Sequence, residues 1–151
     1  MKQKGFSLIE VLIFITIISI FFVVTASISI SMIRNTKINE RKVIAIRYAE
    51  ELLEWLRAEK DIDWNVFTTH APTAGQEYCF NADPSGWINS PPCLYELDSL
   101  YKRTVKLTGL NTPPPDNTTY QVNVEVVVEW LESGSIYNVP LHTTFSIWER
   151  R

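Results

Sequence analysis

The apolar positions of the chain follow three patterns from its N-terminus to its C-terminus. The first is a run of 23 positions, Val11 to Ile33, that contains no charged residue. About 20 predominantly apolar residues are enough for a helix to cross a bilayer, so this run predicts a membrane-spanning helix. The Ser and Thr residues within the run can donate their hydroxyls to helix carbonyls.

The second pattern continues the helix in amphipathic form. No proline or glycine occurs between Arg34 and Lys60, and apolar residues recur there at helical spacings: Ile38, Ala45, Ala49, Leu52 and Leu56. We therefore expect one helix from about Phe6 to about Glu59. Its second half needs a folded partner, because its apolar stripe would otherwise face water.

The third pattern is alternation of apolar and polar positions in three segments: YKRTVKLTG from Tyr101, YQVNVEVVVEW from Tyr120 and VPLHTTFSIW from Val139. Period two predicts half-buried antiparallel strands. We expect the basic group of Lys102, Arg103 and Lys106 to form the solvated face of a strand. Pro140 cannot donate a ladder hydrogen bond, so the last strand should be an edge there, or bulged.

A segment of different composition separates the helix from the strands. Residues 61–100 are rich in Pro, Gly, Asn, Ser and Asp, which predicts an irregular connector with at most a short strand near Tyr78–Phe80. The expected fold class is α+β, with a long N-terminal helix packed on a 3–4-stranded antiparallel sheet. We expect boundaries at 6–33 for the membrane-spanning half of the helix, 34–60 for its amphipathic half, 61–100 for the connector and 101–151 for the β-meander.

Charge and cysteine content narrow the classes of function. The formal net charge is −3, which is unfavourable for binding nucleic-acid phosphates, so no nucleic-acid partner is expected. The two cysteines, Cys79 and Cys93, more often form a disulfide than remain free in an exported domain. They cannot form a structural zinc site alone, and no histidine lies at ligand spacing from both.

No known catalytic motif accompanies the two histidines, His70 and His142, so we do not expect an enzyme. The stretch DIDWN, which begins at Asp61, resembles the start of a calcium loop. It lacks the glycine and the closing glutamate that such a loop requires, and we interpret it as a helix stop. No cofactor or metal is expected.

Glu10 is the unusual residue near the start of the apolar run, because a carboxylate at this depth has no basic partner in the run. The residues KGFSLIE around it resemble the class III signal of type IV pilin-like proteins, with Gly5, Phe6 and Glu10 in register. That family includes major pilins, minor pilins and the pseudopilins of type II secretion. The arrangement of helix, connector and antiparallel sheet extends the resemblance to a pilin-like fold.

The resemblance implies a sequence of processing steps. A prepilin peptidase removes a leader of residues 1–5 by cutting between Gly5 and Phe6, and the new amine of Phe6 is N-methylated. Glu10 can then pair with the Phe6 amine of a neighbouring subunit when helices associate. A buried ion pair that loses one member is destabilised by about 3–5 kcal/mol, so this pairing would also disfavour wrong registers.

Topology and partners follow from the same motif. Lys2 and Lys4 predict a cytoplasmic N-terminus, although four cations on the other side weaken that preference: Arg34, Lys37, Arg41 and Lys42. The chain would then be a single-pass inner-membrane protein with its C-terminal domain outside, and later part of a pilus or the cell surface. The implied partners are the prepilin peptidase, membrane lipid, an inner-membrane assembly platform and other pilin or pseudopilin subunits that bind through the N-terminal helix.

These features favour a structural subunit, a minor pilin, of a type IV pilus or related assembly. Two alternatives remain open: a pseudopilin of type II secretion, or a membrane-anchored binding module that does not polymerise. Trp87 lies between Cys79 and Cys93, where it would be either a contact residue of an interaction loop or a tryptophan folded back into the core.

Overall fold

The structure, a computed structural model, describes residues 7–81, 86–87, 92–112 and 118–147. These residues form α1 (Leu8–Ile62), α2 (Trp64–Thr69), β1 (Gln76–Cys79), β2 (Tyr101–Asn111), β3 (Thr119–Glu132) and β4 (Ser135–Ser146). The chain divides into two compact units, 1–40 and 41–151. We call them the first unit and the globular unit.

The globular unit is built on one antiparallel sheet in the order β1-β2-β3-β4. The C-terminal half of α1 covers one face of this sheet, and its predicted stripe is fully buried: Ala45, Ala49, Leu52 and Leu56. Alternate residues of the two central strands face it and are also buried: Val105, Leu107, Val122, Val124, Val126, Val128 and Trp130. The expected α+β class, the antiparallel sheet and the amphipathic part of the helix are confirmed.

A second helix replaces part of the irregular connector expected from the sequence. Asp63 is its N-cap, since the side chain accepts hydrogen bonds from the N–H groups of Asn65 at 2.8 Å and Val66 at 3.2 Å. Trp64 and Phe67 on this helix are buried. Six residues are too few to show helical periodicity, so the cap was the only local signal for α2.

Pro140 lies on an edge strand, as the sequence predicted. Ser133 and Gly134 form a two-residue hairpin turn with φ values of 50° and 79°, so the residues that flank the turn are a hydrogen-bonded pair. Hydrogen-bonded and non-hydrogen-bonded pairs alternate along an antiparallel ladder, so Val127 and Pro140 form a non-hydrogen-bonded pair. The nitrogen of Pro140 therefore points away from β3, where its missing N–H removes no ladder hydrogen bond.

Gly109 lies where β2 and the segment after α2 approach closely. A Cβ at this position would lie 2.3 Å from the carbonyl oxygen of Ala71, and the Gly109 N–H donates to the Pro72 carbonyl at 3.3 Å. We expect Gly109→Ala to lower the free energy of unfolding by about 1–3 kcal/mol, because backbone must move to admit the methyl group. Denaturation of the full chain in detergent, followed by tryptophan fluorescence, measures this change.

Gly86→Ala is the matched control, because no described atom lies within 4 Å of a Cβ built there. Its free energy of unfolding should change by less than about 0.5 kcal/mol. Equal losses in the two variants would contradict the close-contact explanation at Gly109.

Candidate functional site

The first turn of α1 carries the acid singled out from the sequence. The helix begins at Leu8, and the backbone N–H of Glu10 donates to the carbonyl of Ser7 at 2.9 Å. The Glu10 side chain is exposed, and the helix dipole at this position favours a negative charge. The expected cleavage site, Gly5–Phe6, and the expected methylation of Phe6 fall outside the described residues.

The surface of the first unit is apolar and exposed. Every side chain from Ser7 to Lys37 is exposed, and Leu8 and Ile30 retain 82% and 69% of their accessible surface. The helix is long and apolar enough here to cross a membrane, by length and composition. An exposed apolar surface of this extent marks a membrane or protein contact, so lipid or other helices should cover it.

The hydroxyl groups within the apolar run are bonded internally. Each donates to a carbonyl three or four residues earlier, at 2.7–3.2 Å; the donors are Thr16, Ser19, Thr25, Ser27, Ser29 and Ser31. This confirms the back-bonding expected from the sequence. Because these hydroxyls donate within the helix, the run can lie in apolar surroundings at lower cost.

The expectation that Lys102, Arg103 and Lys106 share a solvated face is wrong for Arg103. Side chains alternate along β2, so Arg103 lies on the buried face with Val105, and both are fully buried. Lys102 lies on the opposite face, where its Nζ is 2.5 Å from Glu129 Oε2. The alternation along β2 places Arg103 on the face opposite to Lys102 and Lys106, and this position, not the shared charge, determines its burial.

The guanidinium of Arg103 connects three segments of the globular unit. Its Nε donates to the Phe80 carbonyl and its Nη1 to the Tyr48 carbonyl, both at 2.8 Å. The same Nη1 lies 3.4 Å from Glu51 Oε2, and the backbone N–H of Arg103 donates to Asn81 Oδ1 at 3.1 Å. A buried charge requires such partners, and here they join α1, β2 and the chain after β1.

Two other charged residues fasten α1 to the sheet. Arg41 forms an ion pair with Glu132 at the end of β3. Lys60 is buried, with its Nζ 5.3 Å from the centre of the Phe145 ring and 3.3 Å from Asp61 Oδ1. No local pattern predicts these contacts to the sheet, because the partners are more than 80 residues apart in the chain.

Cys79 and Cys93 form the disulfide expected from the sequence, with Cα atoms 5.6 Å apart. Cys79 ends β1, so the bridge attaches the following segment to the sheet. The amide of Asn81 donates to the Leu94 carbonyl at 2.5 Å beside it. Closing a loop of this length stabilises a fold by about 3 kcal/mol in the chain-entropy model.

Trp87 packs inward within the loop that the disulfide closes. Its ring is stacked on His70, with centroids 4.1 Å apart. Four other rings lie 5.1–5.9 Å from it: Trp55, Phe67, Tyr78 and Phe80. This packing favours the folded-back alternative for Trp87, and its role in an interaction loop stays a prediction.

Two groups of this aromatic cluster have shifted pKa values. Burial lowers the pKa of His70, and the nearby Glu59 carboxylate opposes the shift by raising it. Burial also raises the pKa of Tyr78, whose hydroxyl donates to the His70 carbonyl at 2.9 Å. The cluster therefore favours a neutral imidazole stacked on Trp87.

We expect the stability of the chain to decrease as the pH falls below 6.5, the unperturbed pKa of histidine. His70 takes up a proton more readily when unfolded, so the stability it contributes above that pH is lost as the pH falls through its lowered folded pKa. Denaturation at several pH values from neutral to about 5.5 measures the slope.

His70→Gln should flatten this slope. His142→Gln, which removes the histidine on the exposed face of β4, is the control and should leave the slope unchanged. An unchanged slope in His70→Gln would contradict the assignment to His70.

Within the described ranges, no three His, Cys, Asp or Glu side chains group closely enough to hold a metal ion. Asp63, which the sequence placed at the start of a calcium-loop resemblance, serves instead as the cap of α2. The arrangement thus offers an apolar helix with an exposed acid near its N-terminus, and a compact globular unit.

Comparison with known proteins bears on the N-terminal segment. A family model described as a prokaryotic N-terminal methylation motif matches residues 1–26. The matched segment contains Gly5, Phe6 and Glu10 and ends within the apolar run. No curated protein and no solved structure matches the chain.

Proposed function

We propose that this type IV pilin-like chain is a minor subunit of a type IV pilus or related fibre. A prepilin peptidase processes the chain at its methylation motif, and the apolar N-terminal helix anchors it in the membrane. One observation carries the proposal: the methylation motif at residues 1–26 overlaps the start of a helix whose side chains are exposed from Ser7 to Lys37. The role is structural, and the fibre is held together by these helices.

The assembly step uses Glu10. Cleavage after Gly5 turns Phe6 into the first residue and gives it a charged amine. The exposed carboxylate of Glu10 lies one turn into the helix, so it meets the Phe6 amine of a neighbouring subunit when two helices pack in register. The two opposite charges compensate each other in apolar surroundings, where either one alone is unfavourable.

The proposed topology has a cytoplasmic N-terminus and the globular unit outside. The peptidase acts on the cytoplasmic side, and the assembly platform then moves the helix from lipid into a bundle of helices. The hydroxyls bonded within the helix suit both surroundings, because neither lipid nor packed helices provide water.

The mass of the N-terminal peptide from native membranes or fibres tests this proposal. The expected chain begins at Phe6 and carries one additional methyl group. Gly5→Leu should retain residues 1–5, because the side chain hinders approach of the peptidase to the backbone. Ser7→Ala is the matched control and should be cut normally. An intact Met1 in cells that have the peptidase would refute processing.

The identity of the neighbouring subunits shows whether the chain belongs to a pilus or to a type II secretion apparatus. Crosslinking of the chain in intact cells, followed by mass spectrometry of purified fibres, should recover pilus subunits with it. Recovery with components of type II secretion instead would assign it as a pseudopilin. A processed chain that crosslinks to no other subunit would support the membrane-anchored binding module.

A further inference from the structure

Two cations end the apolar run on the side away from Glu10. Arg34 and Lys37 lie one turn apart on α1, in the first unit, and both are exposed. Glu40 follows one turn later, but within the described part of the chain it forms no ion pair with Lys37. Among the described residues, no acidic side chain forms an ion pair with Arg34 either. With the globular unit outside, these cations oppose the usual excess of positive charge on the cytoplasmic side.

Their position along the helix places them at the level of lipid headgroups. The uncharged run of 23 residues before Arg34 spans about 35 Å as a helix, and the hydrocarbon core of a bilayer is about 30 Å thick. With Glu10 at one boundary, Arg34 and Lys37 reach the opposite one. Long basic side chains extend toward phosphates at such a boundary.

Most other cations next to the sheet and along α1 have acidic partners. Arg41 pairs with Glu132, and Lys102 with Glu129. Arg57 lies 2.5 Å from Glu54 on the outer surface of the helix. Arg34 and Lys37 differ from these cations in two ways: they lie next to the apolar run, and they have no such partner among the described residues.

We propose that Arg34 and Lys37 bind the phosphates of anionic phospholipids, of the phosphatidylglycerol type, in the leaflet that faces the globular unit. This rests on the proposed membrane-spanning orientation. A guanidinium binds two phosphate oxygens at once, and the ammonium one turn later adds a second point charge. The contacts hold the helix at a fixed depth until assembly removes it from the lipid.

The full chain, reconstituted in vesicles of phosphatidylcholine with a minor share of phosphatidylglycerol, tests the proposal. Electron paramagnetic resonance with spin-labelled lipids gives the association constant of phosphatidylglycerol relative to phosphatidylcholine at the protein surface. At low salt we expect the wild type to prefer phosphatidylglycerol, by up to about 5-fold for each cation. The double variant R34Q/K37Q should lose most of this preference.

The matched control is R57Q/K106Q, which removes the same charge from exposed positions of the globular unit. It should keep the preference for phosphatidylglycerol. Equal losses in both double variants would show general charge attraction and overturn the proposal. Inorganic phosphate, compared with chloride at equal ionic strength, should not remove the preference; selective removal by phosphate would point to a free ion rather than a lipid.

Two further outcomes are separated by the same samples. The competing occupant of Arg34 and Lys37 is an acidic partner subunit. In that case R34Q/K37Q would lose the crosslinks that form between copies in phospholipid-free detergent, while its preference for phosphatidylglycerol stayed unchanged. This result would overturn the proposal. Extraction of the wild type by carbonate would show that the chain is not inserted, so the proposed function itself would fail. Stable insertion without any preference for phosphatidylglycerol would refute the lipid site alone.

Discussion

Glu10→Ala should insert into the membrane as the wild type does and be nearly absent from fibres. The substitution removes a charge from the apolar helix, so it does not hinder insertion. Under the proposed pairing, it leaves the Phe6 amine of a neighbouring subunit in the fibre without its partner. A buried ion pair that loses one member is destabilised by about 3–5 kcal/mol, which lowers incorporation on the order of a hundred-fold or more. Membrane fractionation and immunoblots of sheared fibres measure the two quantities.

Two further substitutions identify the cause. Glu10→Gln keeps the size and hydrogen-bonding capacity of the side chain but removes its charge, so it should fail almost as Glu10→Ala does. Glu40→Ala removes an exposed acid from the same unit, and incorporation should stay within two-fold or so of the wild type. Normal fibres from Glu10→Ala would refute the charge-pairing mechanism.

Arg103→Met should lower the free energy of unfolding by about 2–3 kcal/mol. Methionine fills part of the space, but the Phe80 carbonyl loses its donor in a buried site. An unsatisfied buried acceptor costs about 1–3 kcal/mol. The Tyr48 carbonyl loses only its second hydrogen bond, because it lies within α1 and keeps its helical one, so it adds less. Glu51 is about half exposed and can return to water, so its loss of a partner adds little.

Lys102→Met is the control for Arg103→Met, because it makes the same kind of change one residue away on the opposite face of β2. Its effect should be below about 1 kcal/mol, since the pair it breaks is partly exposed. Urea denaturation of the full chain in detergent measures both variants. A stable Arg103→Met would show that the connection through Arg103 is not required for the fold.

Patterns that repeat along the chain were predictable from the sequence. The buried stripe of Ala45, Ala49, Leu52 and Leu56 follows from helical spacing, and the sheet follows from alternation in its strands. The motif at Gly5, Phe6 and Glu10 is equally local, because a peptidase binds a short stretch of chain. In each of these cases, the residues that determine the feature lie close together in the sequence.

Contacts between distant segments were not predictable in the same way. The partners of Arg103 come from positions 22 to 55 residues earlier in the chain, and no local pattern indicates them. The stacking of Trp87 on His70 likewise depends on how the disulfide loop folds back, which left two alternatives open. The short α2 lies between these cases, since Asp63 marks its start but nothing periodic follows.

The orientation of Pro140 has a consequence for the proposed role as a fibre subunit. In such a fibre the globular units of neighbouring subunits would be crowded together, and a continuous free strand edge would allow their sheets to join into an aggregate. Pro140 removes one outward donor near the middle of β4, so the remaining edge is divided into two short pieces. The β4 edge is thereby made a poorer template for a second strand, which would leave the association of subunits to the proposed helix contacts.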